Sequence, residues 1–445
     1  MDYNLILALI IGISVLLFLI IKLKLHAFVS LLIASIIVGV IVGMQPEEMM
    51  KTIQTGMANT LGFVATVVGL GAMFGAILEH SGGANIISKM MLKRFGVKKA
   101  PIAMVITGFI VAIPVFFEVA FILLVPMIYA LQKQTGKSLL TFAIPLLAGL
   151  AVTHAFIPPT PGPIAVADII GVDLGWVILI GAIVGLPTAI ISGLFFGKYI
   201  GKKIFAKIPF ELDNGNETKL SPNFSTVITI ISVPIFLILL NTFISSEIIP
   251  VSSPTIVKFI QLIGHPFSAL IIANILAWYI LGIKQGFTKS QLLKITMKSM
   301  EPAGMIILVT GAGGVFKQFL VNTGVGEMLA QSLAGVGFPV LVFSFIIAAL
   351  VRITQGSATV AMITSAGLVS PLLAQMNFGD FDLACIVISI AAGSSIFSHV
   401  NDSGFWLVNQ YLGLSEKDTF KSWTMMTTIL SLVGFGSVCI LSAIF

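Results

Sequence analysis

Apolar residues run along this chain in blocks of about 20, set apart by short polar stretches instead of alternating with them. At a rise of 1.5 Å per residue, such a block crosses a hydrocarbon layer of roughly 30 Å as a helix. The first half predicts crossing helices near 4–22, 25–43 and 58–80, then a block of 31 residues from Pro101 to Leu131. That block is too long for one crossing, too short for two, and interrupted by Pro114, so a re-entrant hairpin over about 101–131 is expected, with its turn at Pro114 to Glu118. A helix from Ser138 is broken over about 157–163, where four prolines and a glycine fall within seven residues, and a last helix runs from about 174 to 197.

The second half repeats the scheme. Helices are expected near 224–245, 262–283 and 303–322, then a hairpin over about 338–374 with the polar run Thr354 to Thr359 at its centre. A helix from Leu383 breaks over about 398–404, and the last spans roughly 424–444. The likeness extends to single residues. His26, Phe28, Leu31, Ile33 and Ala34 fall on His265, Phe267, Leu270, Ile272 and Ala273 at a shift of 239. Gly71, Phe74, Leu78, Ser81 and Gly82 fall on Gly313, Phe316, Leu320, Thr323 and Gly324 at 242, and His154 falls on His399 at 245.

Charge gives the two copies opposite orientation. The stretch Ala84 to Ala100 carries Lys89, Lys93, Arg94, Lys98 and Lys99, whereas its counterpart Asn322 to Gly337 carries Glu327 and no basic residue. The preceding pair reverses this: Met44 to Ala58 has Glu47, Glu48 and Lys51, while Ile283 to Pro302 has Lys284, Lys289, Lys294 and Lys298. Basic loops stay in the cytoplasm. Each half therefore holds about five crossings and one hairpin, inserted upside down relative to the other, as in inverted-repeat transporters. The expected organisation is an all-α polytopic membrane protein: a first repeat over 1–210, a cytoplasmic linker over 211–222 and a second repeat over 223–445, with both termini outside a plasma membrane. Nothing resembling a cleavage site follows Leu5 to Ile21, so that stretch is expected to be a retained helix.

Composition changes the picture by exclusion. Apolar residues make up 57% and charged residues 9%, at a mean hydropathy of +1.10, where a soluble domain carries roughly a quarter charged residues. The net charge of +6 is inside bias and not a nucleic-acid footprint. There is no His-Glu-x-x-His spacing, no cysteine near the breaks, and no Gly-x-x-x-x-Gly-Lys-Ser/Thr loop. Intramembrane hydrolysis and nucleotide-driven pumping are thus disfavoured, and no cofactor or metal is expected.

Chemistry is expected where the two tips and two breaks converge, since freed backbone groups at membrane depth survive only where protein or a wet cavity satisfies them. Arg352, one of two arginines, is a candidate bidentate clamp for a substrate carboxylate, with an internal ion pair to Glu118 or Asp402 as the alternative. Glu118, Asp402 and His399 are candidate proton carriers, though either carboxylate also suits a helix cap. Thr354, Gly356, Ser357 and Thr359 at one tip, His154 and Thr160 at one break, and Asn401 and Ser403 at the other offer short polar groups to a hydroxylated ligand. No role follows for Glu79, His80 or Lys317.

Six runs carry a family resemblance: Gly69 to Gly83, Phe116 to Ala120, His154 to Pro159, Gly311 to Gly314, Gly356 to Ala361 and Asp402 to Val408. They resemble those of the gluconate permease family, within a broader ion transporter superfamily, and the likeness covers essentially the whole chain. It implies a proton symporter for gluconate or a related sugar acid in the bacterial inner membrane, an elevator-like motion of hairpins and broken helices, and an assembly that extends to a homodimer. D-serine permeases share the resemblance, and sodium coupling stays open beside proton coupling.

Overall fold

The computed structural model describes residues 3–209, 222–245, 248–324, 339–373, 376–400 and 402–444. These are helical with no strand among them. The first half runs α1 (Tyr3–Ile21), α2 (Ala27–Val42), α3 (Pro46–His80), α4 (Gly83–Phe95), α5 (Ala100–Val111), α6 (Phe117–Thr135), α7 (Leu140–Phe156), α8 (Pro161–Ile170) and α9 (Leu174–Lys203). The second runs α10 (Phe224–Ser245), α11 (Pro254–Gly264), α12 (Pro266–Gln285), α13 (Lys289–Lys298), α14 (Met300–Asn322), α15 (Val340–Gln355), α16 (Ala358–Leu373), α17 (Asp380–Gly393), α18 (Ser403–Leu412) and α19 (Glu416–Ile444). Among the described residues, 8 helical stretches are long and apolar enough to cross a membrane. Residues 211–221 of the expected linker, residues 325–337 of the counterpart stretch with Glu327, and Asn401 lie outside the described residues.

Two stretches read as loops from their charge contain helices. In α4, Ala84, Ile87 and Met91 are buried while Lys89, Lys93 and Arg94 are exposed. In α13, Leu292 and Thr296 are buried and Lys289, Lys294 and Lys298 exposed. Their polar face hid a period of 3.6 from a count of charges. Likewise α3 starts at Pro46 and not near 58: Pro46 opens it and Glu47 and Glu48 lie in its first turn, where they favour the positive end of the helix dipole.

The repeat-matched His26 and His265 cap helices. His26 Nδ1 accepts from the Phe28 amide at 3.2 Å and His265 Nδ1 from the Phe267 amide at 3.3 Å. Each fills one of the four donor positions a helix start leaves open.

Helices approach one another through glycine. A Cβ on Gly56 of α3 would fall 2.7 Å from Val315 Cα in α14, and one on Gly314 of α14 would fall 2.0 Å from Thr60 Oγ1. Asn274 Nδ2 of α12 donates to Leu70 O at 2.9 Å, tying that helix to α3. A second group forms around α7: a Cβ on Gly149 would fall 2.3 Å from Val105 O in α5, and one on Gly181 of α9 2.3 Å from Phe156 O. Here α15 meets α17 in the same manner, with a Cβ on Gly393 2.4 Å from Phe345 O and Ser389 Oγ donating to Leu341 O at 2.8 Å. In lipid no hydrophobic gradient drives helices together, so such close approach supplies the packing.

Gly149→Leu forces backbone apart between α5 and α7, and the expected loss is at least about 1–3 kcal/mol, read as a lower melting temperature of the detergent-solubilised protein. Gly436→Ala, with no neighbouring atom within 4 Å, is expected to melt as the parent does or slightly higher.

Candidate functional site

Two helix pairs end in tips. The chain leaves α5 and enters α6 over Ala112 to Phe116, and leaves α15 for α16 at Gly356 and Ser357. Gly356 has φ 94, a conformation other residues adopt only under strain. Two further helices are interrupted: α7 ends at Phe156 and α8 begins at Pro161, while α17 ends at Gly393 and α18 begins at Ser403. Between these four elements lies a cavity of about 300 Å³.

First-turn residues of four helices line it: Phe117 and Glu118 of α6, Gly162 of α8, Ala358 and Thr359 of α16, and Ser403 and Gly404 of α18. Helix N-termini leave amide donors unpaired and carry partial positive charge, so this is an arrangement for an anion.

Arg352, at the last turn of α15, is 3% exposed. Its Nη2 pairs with Asp402 Oδ2 at 2.5 Å, and its Nη1 donates to Gly356 O. The guanidinium thus ties the second tip to the second break. Asp402 also caps α18, accepting from the Gly404 amide at 3.1 Å, and takes a hydrogen bond from Ser398 Oγ. Ser398 is held in turn by Trp423 Nε1, which donates to its Oγ at 2.6 Å, and by Thr424 Oγ1, which donates to its carbonyl at 2.5 Å. Asp402 therefore forms the helix cap that was the alternative to its reading as a proton carrier, and also the ion pair that was the alternative to a substrate clamp for Arg352.

Among the described residues that line the cavity, two buried side-chain polar atoms have no hydrogen-bond partner, Arg352 Nε and His154 Nδ1. His154 stands between the rings of Phe116 and Phe117, each with its centroid 6.5 Å away. An unpaired buried donor or acceptor costs about 1–3 kcal/mol, so each is a natural contact for a ligand.

Of the residues expected here, Arg352, Gly356, Ser357, Thr359, His154, Ser403, Glu118 and Asp402 line the cavity. Three do not. Thr160 is 3% exposed and donates to Ile157 O at 2.7 Å, closing its own break. Thr354 donates to Leu350 O at 2.8 Å and Val351 O at 3.0 Å, turned back on α15. His399 Nε2 donates to Ile353 O at 2.8 Å, bracing the break against α15. The sequence reading missed Phe117 and Trp423, whose rings lie 5.5 Å apart in the cavity wall. A lone tryptophan beside Ser422 and Thr424 in an apolar stretch was the available signal for the second.

Long apolar helices that break around a charged cavity define a multi-pass membrane transporter. A model of the GntP family permeases matches residues 4–444, and the chain belongs to that family. It is 42% identical over 425 residues to the low-affinity gluconate transporter of Escherichia coli K12, with 95% of each chain covered. It is 37% identical over 436 residues to the Gnt-II system L-idonate transporter of the same strain, covering 97% of this chain and 98% of the other. With relatives that are permeases along their whole length, the protein is a transporter and not an enzyme. Among solved structures, Neisseria gonorrhoeae MtrF, described within a class of antimetabolite efflux pumps, superposes with a TM-score of 0.69 at 15% identity, covering 95% of this chain and 96% of that one. At that identity the likeness establishes a shared fold.

Removing one partner of a buried ion pair leaves an uncompensated charge, a loss of about 3–5 kcal/mol. Asp402→Asn is therefore expected to melt well below the parent, while Arg352→Met combined with Asp402→Asn recovers most of that loss. Thermal melts of the three proteins in one detergent test this; equal destabilisation by the single and double variants overturns the pairing.

Proposed function

We propose that this protein imports gluconate or a related sugar acid together with protons. The observation that carries the reading is the cavity in which four helix N-termini surround Arg352, already engaged by Asp402. In the empty protein Asp402 serves as the guanidinium's counter-ion. A proton on Asp402 removes that charge, and the substrate carboxylate takes its place on Arg352 in a charge-assisted hydrogen bond. Binding of the anion and of the proton thereby become one event. Ser357, Thr359 and Ser403 offer hydroxyls to the polyol chain, and the rings of Phe117 and Trp423 flank its C–H faces.

One proton per monoanion is electroneutral and draws on the pH gradient alone. Glu118 in the same cavity is a second acceptor, and a second proton adds the membrane potential. One charge moved inward is worth about 2.3 kcal/mol per 100 mV, or roughly 50-fold accumulation. Gluconate and L-idonate, the cargoes in the relatives' names, are both hexonic acids, in keeping with a site that fixes one carboxylate and several hydroxyls.

The architecture that serves this function is a pair of inverted repeats, 1–210 and 223–445, each with a re-entrant hairpin and a broken helix. Support comes from His26 and His265 capping repeat-matched helices alike, and from α5 on α7 and α15 on α17 meeting through glycine. Among the described residues, those lining the cavity come from α6, α7, α8, α15, α16, α18 and α19 and from the second tip and break, and none from α3 or α14. In the elevator motion the cavity-bearing elements move against α2, α3, α12 and α14 as a unit.

Proteoliposomes under an inward proton gradient are expected to accumulate radiolabelled gluconate transiently, to lose this with a protonophore, and to be competed by L-idonate more strongly than by D-serine. Arg352→Ala is expected to weaken gluconate binding roughly 10- to 100-fold. Glu118→Gln is expected to keep gluconate exchange and lose part of the voltage-driven accumulation. Accumulation driven by sodium with no pH gradient, or no uptake in tight vesicles, overturns the reading.

A further inference from the structure

A second cavity, of about 320 Å³, lies on the other side of the first tip. The stretch Pro114 to Val119 walls both: Phe117 and Glu118 line the substrate cavity, while Pro114, Val115, Phe116 and Val119 line the second. One thickness of chain separates them. The opposite wall is α3, through Gly75 and Glu79, and the junction of α13 with α14, through Lys298 and Glu301. The tip rests directly on α3, where a Cβ on Gly75 would fall 1.9 Å from Pro114 O.

The contact of α14 with α16 and α8 is closed. A Cβ on Gly313 would fall 2.3 Å from Ile363 Cγ2, and one on Gly367 3.2 Å from Gly313 O. Lys317 Nζ of α14 donates to Ile169 O at the end of α8, and Ser370 Oγ of α16 donates to the same carbonyl at 2.7 Å. The flank of α8 and α16 is therefore closed against α14, whereas the α5–α6 flank touches α3 at its tip and leaves beside that contact a space large enough for a sugar acid.

We propose that the second cavity is the cytoplasmic release vestibule for the transported carboxylate, divided from the substrate cavity by the tip Pro114 to Phe116. This rests on the transport reading above. Its lining includes the end of α3, which leads into α4 with exposed Lys89, Lys93 and Arg94, and the end of α13 with exposed Lys294 and Lys298. Basic segments of this kind stay in the cytoplasm. Lys298 draws an anion off the tip, and Glu79 and Glu301 prevent it from settling there. A route that releases its cargo has to attract it enough to enter and bind it too weakly to hold.

The test is charge-sensitive labelling of Val119→Cys in a background where Cys385 and Cys439 are serine. Membrane-impermeant methanethiosulfonates, one anionic and one cationic and of equal size, are applied to inside-out vesicles and to intact cells. Labelling is expected from the cytoplasmic face and not from outside. Adding Lys298→Met is expected to lower the anionic-to-cationic rate ratio about fivefold, and Glu301→Gln to raise it by a similar factor, as unit charges several ångströms away in a wet space dictate. Both residues are exposed, so folding is not at stake. Labelling from the outer face alone, or a ratio that neither substitution moves, overturns the vestibule. Gluconate is expected to slow the labelling; if the ratio responds as stated and another carboxylate protects where gluconate does not, the vestibule stands and the sugar-acid reading falls.

Discussion

A helix interrupted inside an apolar slab exposes backbone donors and acceptors that lipid cannot satisfy, and the rest of this structure follows from how those groups are met. The two breaks and two tips are brought to one place, where they satisfy each other or face a cavity. Thr160 closes the first break on Ile157 O, and Asp402 with Ser398 and Trp423 closes the second. What remains are four helix starts whose first-turn residues line the cavity. Such an arrangement is costly to leave empty and favourable to fill with an anion. On the proposed function, binding completes a backbone hydrogen-bonding problem that the break in the membrane creates.

How much of this the sequence disclosed depends on whether the signal was local. Proline runs and polar clusters mark breaks wherever they occur, so the tips and interruptions were readable to within a few residues, as were most of the cavity residues on them. Thr354 was misplaced by geometry that a linear reading ignores: it lies two positions after Arg352, about 200° around α15, and so faces away from the cavity. Trp423 was missed because it lies 21 residues past Asp402 in the sequence and reaches the site only when α19 packs back along the break. His26 and His265 were seen as a matched pair, but capping is a matter of one ring nitrogen and one amide, and no periodicity reveals it. The helices α4 and α13 were lost to a charge count that registered their exposed lysines and passed over the apolar face beneath.

On the proposed repeat architecture, the two halves are alike in scaffold and unlike in chemistry. Repeat-matched positions agree where they fix packing or cap a helix, yet they part where the site is built. Thr160 and Asp402, 242 apart, both start a half-helix, but one is a neutral hydroxyl bonded to its own turn and the other a carboxylate paired with arginine. Symmetry supplies a pocket of helix ends. Divergence within that symmetry gives the pocket a charged side, at Arg352 and Asp402, facing a side of His154, Phe117 and Glu118.

On the proposed mechanism, that asymmetry bears on how an empty carrier returns. A lone guanidinium in a buried site carries a desolvation penalty of several kcal/mol, which would hold the empty protein wherever water reaches Arg352. With Asp402 ionised the pair is neutral and the empty site can move. With Asp402 protonated and a carboxylate on Arg352, the loaded site is neutral again and can move as well. The two states that are penalised are the anion without its proton, where two carboxylates crowd one arginine, and the proton without its anion, where the arginine stands alone. On the proposed mechanism, then, coupling needs no separate gate for the proton: a single residue that is counter-ion to the same arginine as the cargo makes leak in either form the costly path.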